Sequence, residues 1–204
     1  MPRVSDAKEK LTDAALGLIW TSGYGATSVD DICEKAGVKK GSFYHFFKSK
    51  AELEVAALET HWQRSRQWWD EVFSPSTPPI QRFENYFAFV VKRQADLQKE
   101  YGSVLGCPLC SVGSEVSTQE ADIRAKAQEI LDQYVKYFES TIRDAHAQGL
   151  IVAPDAEATA RMLYAYVLGT LTQARIANSL EPLQGLRAGG LGLLGVNQPS
   201  LAAA

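Results

Sequence analysis

"GVKKGSFYHFFKSKAEL", residues 37–53, places four aromatic rings and a histidine in positions 43–47, flanked by Lys39, Lys40, Lys48 and Lys50. A buried segment would not hold four ammonium groups together, and a solvated one would not keep three phenylalanines. A helix starting near Lys39 resolves the conflict. Phe43, Phe46 and Phe47 then fall at i, i+3 and i+4 on one face, turned inward. Lys39, Lys40, Ser42, Tyr44 and His45 are left outside.

Upstream, Leu11, Ala14, Ala15, Leu18 and Ile19 recur with helical spacing. Ser5 is a candidate cap for that helix, and Gly23 and Gly25 end it. A shorter helix starts at Ser28, with Val29, Ile32, Cys33 and Ala36 on one face, and Gly37 stops it. Ser49 followed by Glu52 forms a capping box that opens a long fourth helix. Two short helices around a glycine turn, the second presenting cations and hydroxyls, form a helix-turn-helix pattern.

The chain has 204 residues and a net charge of −3, which alone disfavours a nucleic-acid partner. Its distribution is more informative. Residues 1–50 carry eight Lys/Arg against six Asp/Glu, whereas 51–204 carry thirteen against eighteen. A cationic head on an acidic body is compatible with phosphate binding. No apolar run approaches the roughly 18 residues of a membrane helix. The N-terminus lacks a signal-peptide core, so no membrane partner and a cytoplasmic location are expected.

The rest of the chain reads as helix, and the fold class as all-α. Pro75, Pro78 and Pro79 break the pattern within residues 73–80. Ile80, Phe83, Phe87, Val90 and Val91 then mark one amphipathic helix. A long helix is expected over 118–149, and another from Asp155 to about Leu180, carrying Ala160, Leu163, Tyr164, Val167 and Leu171. The Gly/Ala-rich end, from residue 188, is expected to be weakly ordered.

Catalytic patterns are missing. There is no phosphate loop, no HExxH and no nucleophile elbow, and His45, His61 and His146 lie far apart in the chain. The expectation is no enzyme, no metal and no cofactor. Cys107-Pro-Leu-Cys110 is the one remaining motif. Without strands it is not a thioredoxin-type pair, and no second ligand pair completes a zinc site. Two readings stay open: packed small apolar side chains, or a sensor. In the second, Pro108 opens a short helix and leaves Cys107 at its N-cap. The helix dipole, with any nearby cation, would favour thiolate, and Cys110 one turn on would be a resolving thiol if the local backbone permits a disulfide. Cys33, on the buried stripe of its helix, should stay inert.

The stretch "TSVDDICEKAGVKKGSFYHFFKSKAEL", residues 27–53, resembles the DNA-binding signature of the TetR family of bacterial transcriptional repressors. The likeness runs from residue 8 to about 58. It implies a helix-turn-helix DNA-binding domain over 1–50 and a helical ligand-sensing and dimerisation domain over 51–204. A homodimer would bind a palindromic double-stranded DNA operator, and an effector would release it. Lys39, Lys40, Gly41, Ser42, Tyr44 and His45 would enter the major groove or its phosphate rims. Thr27, Ser28, Lys48 and Lys50 would hold phosphates.

"GSVLGCPLCSVGSEVS" (102–117) and "YVLGTLTQARIANSLEPL" (166–183) resemble the effector domain of the electrophile-responsive TetR subfamily. That likeness implies a reactive thiol at Cys107. It also marks a departure, since those relatives place a lysine where this chain has Arg175. Phe87, Tyr134 and Tyr164 are expected around a small-molecule cavity near Cys107. The competing reading is a helical bundle that handles a ligand or redox chemistry through Cys107 and Cys110, with an incidental cationic hairpin.

Overall fold

In the computed structural model, which describes residues 4–196, every regular element is helical. The α-helices are α1 (Val4–Ser22), α2 (Val29–Ala36), α3 (Lys40–Phe46), α4 (Lys50–Val72), α5 (Pro79–Tyr101), α6 (Pro108–Val116), α7 (Ala121–Ala147), α8 (Ala156–Ala177) and α9 (Leu186–Leu193). A 3-10 turn spans Glu181–Gly185. The chain forms two compact units. The first joins the chain up to Gln67 with Cys107–Asp132; the second joins Trp68–Gly106 with the chain from Gln133 onward.

In the first unit, Ser28 caps α2. Its Oγ accepts the Asp31 amide, while the Asp31 carboxylate takes the Ser28 amide. Gly37 ends α2 in the left-handed region (φ 65°), as a C-cap glycine does. Ser49 Oγ accepts the Glu52 amide as expected, but the Glu52 carboxylate takes the Lys48 amide instead of closing on Ser49. Leu11, Ala15, Ile32, Phe43, Leu53 and Leu58 are fully enclosed. The inward aromatic face needs one correction. Phe43 and Phe47 are buried, whereas Phe46 is half-buried. Phe47 leaves the helix as an extended C-cap, so the helical spacing no longer aligns the last two rings.

The second unit is built around rings. Trp69 stacks on Tyr134 at 4.2 Å and on Phe73 at 5.5 Å, and Phe138 meets Tyr164 edge-on at 5.2 Å. Arg82 is buried; its guanidinium donates to Thr77 O, Pro75 O and Asp144 Oδ2, which pins the proline-rich turn. Asp155 caps α8 by accepting the Ala158 amide, and Asn178 ends it in the left-handed region.

The expected weak order of the C-terminal end is corrected over 188–196, where most residues lie in α9 and Gly190, Leu191 and Leu194 are buried. Small size, not looseness, explains the glycines. A Cβ on Gly190 would come within 2.5 Å of the Phe87 ring, and one on Gly189 within 2.1 Å of Tyr166 Oη. Residues 197–204 of that end lie outside the described residues.

Candidate DNA-binding interface and sensor thiols

Helix α3 stands on Phe43 and presents its other side outward. Lys39, Lys40, Gly41, Tyr44 and His45 are exposed, Tyr44 by 57 %, and Ser42 is half-buried. Lys39, Gly41, Ser42, His45 and Phe46 line an open groove of about 450 Å³ together with Ala7. Lys40 pairs with Asp30 at 2.8 Å, but both side chains are more than half exposed. Water screens such an exposed pair, so a phosphate can displace it. No Cβ obstacle lies within 4 Å of Gly41, and the fold therefore does not require glycine there.

The four residues expected to hold phosphates divide. Lys48 is exposed. Ser28 has given both donors to Asp31: its amide at 2.7 Å and its hydroxyl at 2.6 Å. Thr27 is buried, and its hydroxyl donates to Gly23 O at 2.8 Å. That hydroxyl is thus engaged within the head. Lys50, half-buried, is engaged there as well. Its ammonium donates to Tyr24 O (2.7 Å) and Thr27 O (2.8 Å) and lies 3.9 Å from the centre of the Tyr24 ring. Sequence spacing places Lys50 just after α3, but only the tertiary fold brings the carbonyls of Tyr24 and Thr27 within its reach.

Tyr24 is the centre of a polar network that sequence reading missed. Its amide donates to Glu115 Oε2 at 2.9 Å, and the Gly25 amide donates to Glu115 Oε1 at 2.8 Å. The Tyr24 hydroxyl donates to Glu120 Oε1 at 2.9 Å. Burial, followed by the Glu120 carboxylate, raises the phenol above its ordinary range. Glu54 is buried as well, with Oε2 unpartnered, and desolvation pushes its carboxyl up to about 8 despite the opposing pull of Lys50. No local pattern marks these carboxylates: the bonds of Glu115 and Glu120 reach back 90 or more residues along the chain.

The six expected effector residues fall in different units. In the first unit, Cys107 is the N-cap of α6 and Pro108 its first residue, as the spacing implies. The expected thiolate is corrected. Cys107 is half-buried as a residue, yet desolvation of its sulfur pushes the thiol up to about 11, against the lowering effect of the Cys110 and Leu109 amides. Cys110 is half-buried, and both thiols are free.

In the second unit, Phe87, Tyr134 and Tyr164 are buried within the ring cluster. Arg175 donates to Leu105 O at 2.6 Å. Two residues that sequence reading did not single out hold the same stretch of chain. The Gln94 amide pairs with both the N–H and the C=O of Gly106, and Asn178 Oδ1 accepts the Val104 amide. Among the described residues no group of three or more His, Cys, Asp or Glu could hold a metal ion. None of their helices is long and apolar enough to cross a membrane.

Comparison with known proteins places this geometry in context. Residues 11–57 match the family model described as "Bacterial regulatory proteins, tetR family". Residues 80–189 match one described as "Tetracyclin repressor-like, C-terminal domain". The transcriptional regulator AcuR of Cereibacter sphaeroides is 28 % identical over 184 residues, covering 89 % of this chain and 82 % of the relative. The HTH-type transcriptional repressor NemR of Escherichia coli is 26 % identical over 183 residues, covering 88 % and 89 %. The crystal structure of the reduced form of E. coli NemR superimposes with a TM-score of 0.81 at 25 % identity, covering 94 % of this chain and 98 % of that one.

Proposed function

Because the chain belongs to the TetR family of bacterial regulatory proteins, a family of DNA-binding transcriptional regulators, we propose a specific division of labour on its head. Lys39, Gly41, Ser42, Tyr44 and His45 read the major groove and its rims, while Lys40 and Lys48 neutralise phosphates. Ser28 serves the interface by fixing the start of α2, and Thr27 and Lys50 by holding the turn before it. The observation that carries this reading is the exposed, cation-bearing face of α3 on a buried Phe43. The protein acts as a homodimer on a palindromic operator and represses, each head taking one half-site. Ile176 and Met162 on α8 and Leu193 on α9, exposed apolar side chains, support a second copy as the partner of that surface.

The effector is a small molecule or a thiol-reactive species, and Cys107 is the first thiol it meets. With a maleimide, the Cys107 sulfur adds to one alkene carbon, the alkene π bond is lost, and the thiol proton ends on the other carbon. With hypochlorous acid as oxidant, the Cys107 thiol becomes a sulfenic acid as chloride leaves, and the Cys110 thiol, one turn on, then displaces water from it to form a disulfide if the local backbone permits one. An effector releases DNA only through its different affinities for the binding and relaxed forms; a hundredfold loss needs about 2.7 kcal/mol of such difference.

The test is fluorescence anisotropy with the duplex upstream of the protein's own gene, over a range of salt concentrations. Lys48→Ala should weaken binding and lower the salt slope by about one unit, since its ammonium is exposed and neutralises a phosphate. Lys50→Ala should weaken binding with the slope unchanged, because its ammonium acts inside the head. Wild-type protein that ignores the duplex at low salt, or a slope lowered only by Lys50→Ala, would refute the assignment.

A further inference from the structure

One side chain of the first unit spends both carboxylate oxygens on backbone amides. Glu115, in the last turn of α6, accepts the Tyr24 and Gly25 N–H groups. Glu120, between α6 and α7, accepts the Tyr24 hydroxyl. The turn they grip is shaped for it. Gly23 has φ 95°, and a Cβ there would lie 3.2 Å from Glu115 Oε2. A Cβ on Gly25 would lie 3.4 Å from Oε1.

The same turn is tied on its other side. Thr27 N–H and Lys50 Nζ both donate to Tyr24 O, and Lys50 also donates to Thr27 O. The Thr27 hydroxyl returns to Gly23 O. Ser28 follows directly and caps α2, which leads through Gly37 into α3. Residues 23–27 are therefore the hinge from which α2 and α3 leave α1, and Glu115 holds two successive amides of it.

We infer that Glu115 and Glu120 are positioning residues for operator recognition, setting through the 23–27 turn the direction in which the recognition helix is presented. Neither carboxylate meets DNA; each acts through Tyr24 and Gly25. The inference rests on the reading of α3 as the groove-entering helix. Its physical basis is directional. A carboxylate accepting two neighbouring amides fixes the plane of both peptides, which a packed apolar side chain would not. The helix that begins at Cys107 thus ends at the group that orients the head.

The experiment compares the full-length wild type with Glu115→Ala, Glu115→Gln and, as a control, Glu157→Ala. Hydrogen–deuterium exchange is followed by mass spectrometry, and anisotropy by titration of the upstream duplex. Glu115→Ala should speed exchange about tenfold over 22–46 while leaving peptides from α5 and α8 unchanged. Its affinity for the duplex should fall about tenfold with the salt slope intact, since every phosphate keeps its cation. Glu115→Gln keeps one acceptor and should fall between, and Glu157→Ala should match wild type. Unchanged exchange over 22–46, equal acceleration in every helix, or unchanged affinity would overturn the inference. Wild type that fails to bind the duplex would count against the operator reading instead, and the exchange pattern alone would then decide the clamp.

Discussion

The two units hold themselves together by different means. Around Tyr24 the first unit is wired by directional polar contacts, from Glu115 and Glu120 to Lys50, with Glu54 buried nearby. Around Trp69 the second is packed with rings, Phe73, Tyr86, Tyr134 and Tyr137 all lying within 6 Å of it by ring centres. A polar network specifies an orientation and is sensitive to protons; a ring cluster supplies apolar burial and is not. A head that must present one helix at one angle profits from the first.

The largest expected effect tests the aromatic side. Trp69→Ala removes the ring at the cluster's centre and should cost about 3–5 kcal/mol, by analogy with other buried aromatic truncations. Urea unfolding at fixed protein concentration measures it. A loss below about 1 kcal/mol would mean that the cluster collapses onto the gap and that the two units differ less than their side chains suggest.

Glu54 tests the polar side through pH. Its carboxyl is raised from the ordinary 4.5 to about 8, so the folded protein keeps a proton that the unfolded chain has released. Stability is full below pH 4.5 with respect to this group, falls as pH rises toward 8, and is level above it. At about 1.4 kcal/mol per pH unit, that rise corresponds to a few kcal/mol. Glu54→Gln cannot ionise, so relative to wild type it should gain a few kcal/mol between about pH 5 and about pH 8.5. Parallel stability curves for the two proteins would show that Glu54 titrates normally.

The smallest effect concerns rate. With its thiol near 11, Cys107 holds only about one part in 10⁴ as thiolate at pH 7. In a Cys33→Ser, Cys110→Ser background, the rate of addition of N-ethylmaleimide should rise about tenfold per pH unit from about 7 to about 9.5. A plateau near pH 8 would restore the dipole-stabilised thiolate and move the start of α6 away from the polar, proton-holding character assigned to the first unit.

Much of the fold was legible because helices announce themselves locally. The stripe Leu11–Ile19, the Ser28 cap, the Gly37 stop and Pro108 at the head of α6 all rest on neighbours within one or two turns. The outward face of α3 followed from the same spacing. The proline-rich break at 73–80 was also readable, though not that a buried Arg82 would staple it to Asp144. The C-terminal end was misread because glycine weakens a helix in isolation. Here the glycines let α9 lie against Phe87 and Tyr166.

Sequence by itself determined the all-helical class, the helix-turn-helix with its exposed basic face, and the position of Cys107 at the start of a helix, since each depends on side chains a few residues apart. Tertiary structure decided which of those groups remain available. It turned Lys50 and Thr27 inward, spent Ser28 on Asp31, raised the Cys107 thiol and buried Glu54. Hydrogen-bond partners 90 residues apart and the cost of desolvating a charge are properties of the folded arrangement, and no spacing rule along the chain encodes them.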